Sequence, residues 1–215
     1  MEPELERAQP QDEELAATRR RQIFLAVTRV LARKSFHQAS VKEIAAEAGI
    51  AAGSIYVYLR SKDDILLLLA ESMVAELAEA LPRIKADADG DPRRELLGVM
   101  RGTLDIIDCY REAFAVLNHE VRYLERDPLY RLAVKEAVHG YKEALAGPLE
   151  RGRAKGVIHF ESIPGAVEAL HMLCSGWAMG AEFLSHIDKE AYWREIAGLV
   201  EGRLFARASD GAGGA

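Results

Sequence analysis

The sequence predicts an all-α protein of about nine helices, an N-terminal trio followed by a larger helical block. Three observations predict it. No stretch of the 215 residues alternates apolar and polar with the period of two that a half-buried strand needs. Residues 40–66, SVKEIAAEAGIAAGSIYVYLRSKDDIL, read as a helix, a glycine-marked turn, a short second helix and the capped start of another. Beyond residue 92, apolar residues recur at helical spacing in five separate segments.

Residues 1–16 are polar, charged and Pro-containing, and are expected to form a disordered arm. The first helix is expected over 18–34, with Ile23, Ala26, Val27, Val30 and Leu31 on one face. Residues 35–39 connect it to the next element, with Phe36 placed to plug the core beneath. Ser40 caps the following helix and Glu43 reaches back as its capping box, while Val41, Ile44, Ala45 and Ala48 give the apolar stripe. Gly49 suits the left-handed residue that ends this helix, because without Cβ it enters that region at little steric cost. Ile50 tucks under the turn, and residues 51–58 restart a short helix. Small residues at Ala45, Ala48 and Gly53 let the two helices cross closely, so that the second stands proud enough to enter a major groove. Ser61 with Asp64 forms a second capping box and opens a Leu-rich helix over 62–81, which Pro82 is expected to close. An acidic loop is expected over 85–92.

The five later helices are expected over 93–110, 111–124, 128–155, 164–186 and 189–207, with Asp127 and Asp188 as caps and Gly156 ending the third. Pro148 predicts a kink or break near Gly147. The Gly/Ala-rich residues 208–215 are expected to be a disordered tail. The domains are then a helix-turn-helix unit over 17–62 and a second helical domain over 63–207.

A net charge of −6 argues on average against a nucleic-acid partner, but its distribution reverses that reading. Residues 1–17 hold six acids against one Arg, a net of −5, and residues 63–215 hold twenty-six acids against eighteen Lys or Arg, a net of −8. Residues 18–62 hold nine Lys or Arg against two Glu, a net of +7, and coincide with the helix-turn-helix. A local basic face is what phosphate attraction requires, and the acidic remainder favours docking through one end only. Gly53 allows close backbone approach to a duplex, Ser54 and Tyr56 can bond a phosphate or a base edge, and Ala52 can touch a thymine methyl. Tyr58 and Lys62 are candidates for phosphates, Tyr58 having core packing as its other reading, and Ser40 and Lys42 are further DNA-binding candidates. Arg19, Arg20 and Arg21 could clamp the backbone, enter the minor groove or simply solvate the surface.

The same residues resemble the DNA-binding signature of TetR-family transcriptional regulators. The matching positions are Val41, Glu43, Ile44, Ala45, Ala48, Gly49, Ile50, Gly53, Ile55, Tyr56, Tyr58, Ser61, Lys62, Ile65 and Leu66. Ala51 and Ala52 stand where the family usually carries a Ser cap and a polar or basic residue, and Leu59 where it carries Phe. The resemblance implies an N-terminal three-helix DNA-binding domain, a C-terminal ligand-binding and dimerisation domain, and a homodimeric repressor on a pseudo-palindromic operator, released by a small hydrophobic effector. Residues 117–127 and 176–193 resemble members that sense fatty or aromatic acyl-CoA thioesters, which makes an acyl-CoA the expected effector class.

The residues themselves allow a cavity, since the helices over 93–124 and 128–186 carry more apolar surface than one stripe needs. Its candidate lining is Met100, Leu104, Ile107, Phe114, Leu117, Val121, Tyr141, His171 and Trp177, with Asn118, His119, Glu120 and Arg122 as polar handles. Arg122 at the slot, or Arg101 and Arg111 at its mouth, could meet the phosphates of a CoA. Small residues Ala178, Gly180 and Ala181 suit a two-fold helical interface built from 164–205. The alternative is a DNA-binding dimer without an inducer, whose C-terminal domain serves only assembly or protein partners.

Other classes fare badly. HExxH, GxSxG, Walker and GxGxxG patterns are absent, and the six His are scattered without ligand spacing, so no catalytic site, metal or cofactor is expected. Residues 1–11 are acidic and lack the apolar core of a signal peptide, and the longest apolar run, 65–70, is too short to cross a bilayer. Cys109 and Cys174 lack a CxxC partner and are expected to be buried reduced thiols. A cytoplasmic protein with no membrane partner is therefore expected.

Overall fold

The structure, a computed structural model, describes the backbone of residues 10–124, 128–181 and 188–205, and the side chains of 14–120, 139–177 and 188–205. Among the described residues it is all-helical. The elements are α1 (Pro10–Leu31), α2 (Val41–Ala48), a 3-10 turn (Ser54–Val57), α3 (Asp64–Ala88), α4 (Pro92–Cys109), α5 (Arg111–Leu124), α6 (Pro128–Ala154), α7 (Ile163–Ala181) and α8 (Lys189–Val200). A further 3-10 turn, Phe36–Gln38, precedes α2, and a π turn, Glu201–Phe205, follows α8.

Local capping chemistry sets the first elements. Ser40 Oγ accepts from the Glu43 amide at 3.3 Å, and Gly49 ends α2 at φ 66°. Asp64 Oδ2 accepts from the amides of Arg60 and Ser61 at 2.7 and 3.0 Å, while the Asp64 amide donates to Ser61 Oγ at 3.3 Å. The helix expected over 51–58 is instead a single 3-10 turn. Only Ile55 and Leu59 are sunk into the core there, at 0% and 1% exposure, and Gly53 weakens a longer helix, so four residues close as a tight turn.

Other boundaries move for reasons that are not local. α1 begins at Pro10, so residues 10–16 are helical and do not belong to an arm; proline at a helix start forfeits only an N–H that has no intrahelical partner. Residues 1–9, the expected tail over 208–215 and Asp127 lie outside the described residues. Pro82 does not close α3, which continues to Ala88. Ile84 explains why. A Cβ on Gly98 of α4 would lie 2.8 Å from Ile84 Cγ2, so α3 and α4 are in close contact beyond the proline, and that packing outweighs the lost hydrogen bond. The acidic loop shrinks to Asp89–Asp91, with Asp89 and Gly90 left-handed at φ 49° and 74°. Asp91 then caps α4, accepting from the Arg93 amide at 2.8 Å. Likewise α6 runs unbroken through Gly147 and the buried Pro148.

Two cores result. The first joins α1, α2, the 3-10 turn and α3 as far as Met73, and includes Ala113 of α5; the second begins at Leu77 of α3 and takes in α4, α6, α7 and α8. α3 is thus one helix shared by two cores, and the expected boundary at residue 62 falls at its start. Cys174 is buried, its thiol pushed up to about 12 by burial, but Cys109 is exposed, against the expectation of two buried thiols. No described helix is long and apolar enough to cross a membrane.

Candidate nucleic-acid interface and effector cavity

The helix-turn-helix presents one exposed face. Ser40, Lys42, Ala52, Gly53, Ser54 and Tyr56 are all exposed on it. Tyr58 is half-buried and packs against the first core, so its ring is held while its edge stays open. Lys62 is pinned in place: Nζ donates to the His37 carbonyl at 2.8 Å and lies 4.9 Å from the Phe36 ring centroid. Val57 was not among the expected residues. It is 78% exposed beside Tyr56, and an apolar side chain there can meet a thymine methyl as Ala52 can. Its signal was available, since Ile55 and Leu59 point inward and a residue between them on a tight turn must face out.

The basic block is partly neutralised by two acids inside it and three on α3. Arg20 pairs with Glu71 at 2.8 Å, and Arg21 with Glu76 and Glu79 at 3.0 and 3.2 Å, all on α3. Glu47 takes both Arg29 and Arg33, and Glu43 takes Lys34; these cations hold both carboxyls below the usual range. Arg19 donates to Gln22, whose own amide holds the Ala48 carbonyl at the end of α2. Arg60 lies 3.9 Å from Asp64, Arg19 meets the neutral Gln22, and among the described residues no acid pairs with Lys42 or Lys62. Arg20 and Arg21 are turned towards α3, although exposed ion pairs of this kind are worth only about 0–1 kcal/mol and exchange readily.

A cavity of about 200 Å³ lies in the second block. Ala70, Met73, Val74 and Leu77 of α3 form one wall, facing Thr103, Ile106 and Ile107 of α4 and Phe114, Leu117 and Asn118 of α5. Tyr141 of α6 with His171 and Ser175 of α7 complete it. Six expected residues thus line it: Ile107, Phe114, Leu117, Asn118, Tyr141 and His171. Met100 and Leu104 are plain core at 0% exposure, and Trp177 is buried with its indole N–H on Asp108 at 3.0 Å. His119 is exposed and sits 3.3 Å from Glu120, away from the cavity wall. Val121 and Arg122 have side chains outside the described residues. The α3 wall was missed; its sign was a Leu-rich segment apolar on more than one face.

Among the described residues, two polar atoms in this wall have no hydrogen-bond partner, Tyr141 Oη and His171 Nδ1. The rings lie 5.3 Å apart. Cys174 and Thr103 flank the phenol closely enough to bear on its ionisation, but their own protons go to the carbonyls of Met100 and Val99. Burial raises the Tyr141 phenol well above its ordinary value. It lowers the His171 imidazole, which Lys142 lowers further. The cations expected at the cavity mouth are engaged elsewhere. Arg101 forks onto Glu190 at 2.5 and 2.8 Å and touches Asp105, and Arg111 pairs with Asp108 and lies 5.0 Å from the Trp177 ring centroid. Among the described residues no cluster of His, Cys, Asp or Glu could hold a metal ion.

Comparison with known proteins bears on both sites. Residues 23–69 match the family described as bacterial regulatory proteins, tetR family. The fatty acid metabolism regulator protein of Bacillus subtilis (strain 168) is 30% identical over 138 residues, which span 64% of this chain and 69% of that protein. The crystal structure of FadR from Bacillus subtilis in complex with stearoyl-CoA is similar at a TM-score of 0.68 and 25% identity, covering 84% of this chain and 97% of that one. A putative regulator from Saccharomonospora viridis in complex with choline shares the fold at a TM-score of 0.69 and 21% identity, covering 89% and 100%.

Proposed function

The chain belongs to the tetR family of bacterial regulatory proteins and is a transcriptional regulator rather than an enzyme, and we propose that it is a homodimeric repressor released from its operator when a small hydrophobic molecule enters the cavity of about 200 Å³. One observation carries the effector half of this reading. α3 opens at Asp64, directly after the DNA-facing residues, and packs into the first core through Ile65, Leu66 and Leu69. Further along, the same helix walls the cavity with Val74 and Leu77. A ligand pressing on that wall would therefore move the helix against which the DNA-facing elements pack. Ile106, Phe114 and Leu117 reinforce the link, since each lines the cavity and also packs against the first core. A filled core would have favoured a dimer without an inducer; an open cavity with two orphaned polar atoms favours an effector.

The effector belongs to the acyl-CoA or related hydrophobic acyl class in this reading. Support comes from the apolar wall and from the B. subtilis FadR likeness, whose structure holds stearoyl-CoA. Typical allosteric coupling of about 1–3 kcal/mol would weaken operator affinity roughly 5–150-fold. The experiment is a titration of the protein–operator complex, the operator first selected from random duplexes, with acyl-CoAs of increasing chain length. Release by at least one thioester is the expected result; affinity unchanged across the whole series removes the acyl-CoA effector.

The DNA half assigns phosphate contact to Ser40, Lys42, Tyr58 and Lys62, with Arg19 and Arg20 at the flank, and base reading to Ala52, Gly53, Ser54 and Tyr56. Lys62→Ala should weaken operator and random DNA alike and lower the slope of log affinity against log salt by about 1. Binding isotherms at two salt concentrations check this, and an unaltered slope would take Lys62 out of the interface.

A further inference from the structure

Resting on the effector reading above, we infer that the cavity selects a compact ligand carrying a neutral carbonyl, as in a ketone, ester or thioester, with Tyr141 Oη and His171 Nδ1 as its two donors, and rejects a free carboxylate. Three observations converge on this: the orphaned atoms, the charge of the lining and the size of the space. Buried polar atoms in a folded interior almost always have partners, so two orphans on rings 5.3 Å apart, on two residues that line one cavity, point to a ligand's polar atom there. The Thr103 hydroxyl proton goes to the Val99 carbonyl at 2.8 Å and one Asn118 Nδ2 proton to the Phe114 carbonyl at 3.1 Å, so neither of those protons is offered to the cavity.

Charge decides between the carbonyl and the acid. Among the described residues, none that lines the cavity is Asp, Glu, Lys or Arg. Lys142 neighbours His171 but is held by Glu168, and Arg101 and Arg111 are paired with acids. A carboxylate entering the cavity would shed water without gaining a counter-charge, which is costly. A carbonyl oxygen needs only donors, and has two lone pairs for the phenol O–H and for an imidazole in its Nδ1–H tautomer. With the phenol pushed up and the imidazole pushed down by burial, both rings are neutral at pH 7.

Size bounds the apolar part. At about 200 Å³ the cavity is somewhat larger than the roughly 150 Å³ void that accepts benzene, so a phenyl ring or a short alkyl chain fits beside the carbonyl.

Calorimetric titration of the full-length protein, without DNA, with acetophenone, benzoate and toluene at pH 7.5 tests the assignment. Acetophenone should bind at least about tenfold tighter than benzoate. Tyr141→Phe keeps the ring and its packing, so it should weaken acetophenone about five- to tenfold, the loss of one hydrogen bond, and leave toluene within about twofold. His171→Leu should act in the same direction. Benzoate binding as well as the ketone, no ketone binding at millimolar concentration, or equal losses for ketone and toluene would each overturn the inference. Because DNA is absent, a carbonyl preference without operator release would leave this site intact and remove only the inducer reading.

Discussion

Leu199→Glu should turn the proposed dimer into monomers and abolish operator binding at concentrations where the unaltered protein is saturated. Leu199 is 63% exposed on α8, and Met172 is 53% exposed on α7. Gly165 and Ala169, exposed two turns and one turn before Met172, leave room beside it, with the exposed Glu168 at the edge held by Lys142. A large aliphatic side chain exposed on each of two adjacent helices is what an unfilled helix–helix interface leaves on one protomer. In a two-fold arrangement the same residue enters from both copies, so one substitution buries two carboxylates. The consequence for DNA exceeds the consequence for assembly. Two linked recognition units gain roughly 10²–10⁴ in affinity over one, and a monomer forfeits all of it. Sedimentation gives the mass and fluorescence anisotropy gives the operator affinity. An intact dimer with Leu199→Glu, and with Met172→Glu beside it, would move the interface away from α7 and α8. The expected small residues Ala178, Gly180 and Ala181 have side chains outside the described residues, which is why the test uses Leu199 and Met172.

The features legible in the sequence were those whose cause is local. Ser40, Gly49 and the Ser61–Asp64 exchange act within four residues, and each appears in the structure as its residue type predicts. The +7 block located the DNA-facing end, but its total overstated the free charge, because Glu71, Glu76 and Glu79 of α3, which lie outside the block, face Arg20 and Arg21 across helices. Non-local packing produced the departures. Pro82 reads as a helix end until Ile84 is seen lying against Gly98 and Gly102 of α4, positions that only the folded chain brings near. The cavity was half legible for the same reason. Phe114, Leu117, Tyr141 and His171 follow from apolar excess on their own helices, but the α3 wall depends on which face of α3 meets α6, α4 and α5. Tyr141 and His171 could be named as lining; that their polar atoms are orphaned could not, because partnership is a property of the packed neighbours.

Phe24→Ala should lower stability by about 3–5 kcal/mol, the range for removing a fully buried aromatic side chain. Phe24 is 0% exposed and meets Tyr110 edge-on, with ring centroids 4.7 Å apart and planes at 67°. Tyr110 stands at the junction of α4 and α5, so this contact joins the DNA-binding core to the second helical block. Ala113, at 1% exposure within the first core, closes the same junction. Against a total of about 5–15 kcal/mol for a folded domain the loss is large, and for a chain of this size each kcal/mol shifts Tm by roughly 2–4 °C. A fall of about 6–20 °C is therefore expected by calorimetry. The position of the defect makes a second demand. The N-terminal helices lose their anchor on Tyr110 at the α4–α5 junction while the second core, from Leu77 onward, keeps its own contacts. Operator binding should then fail on warming before the cavity stops binding its ligand, which anisotropy and calorimetric titration at the same temperatures would separate. A Tm within about 2 °C of the unaltered protein, or simultaneous loss of both activities, would mean that Phe24 does not hold the two cores together.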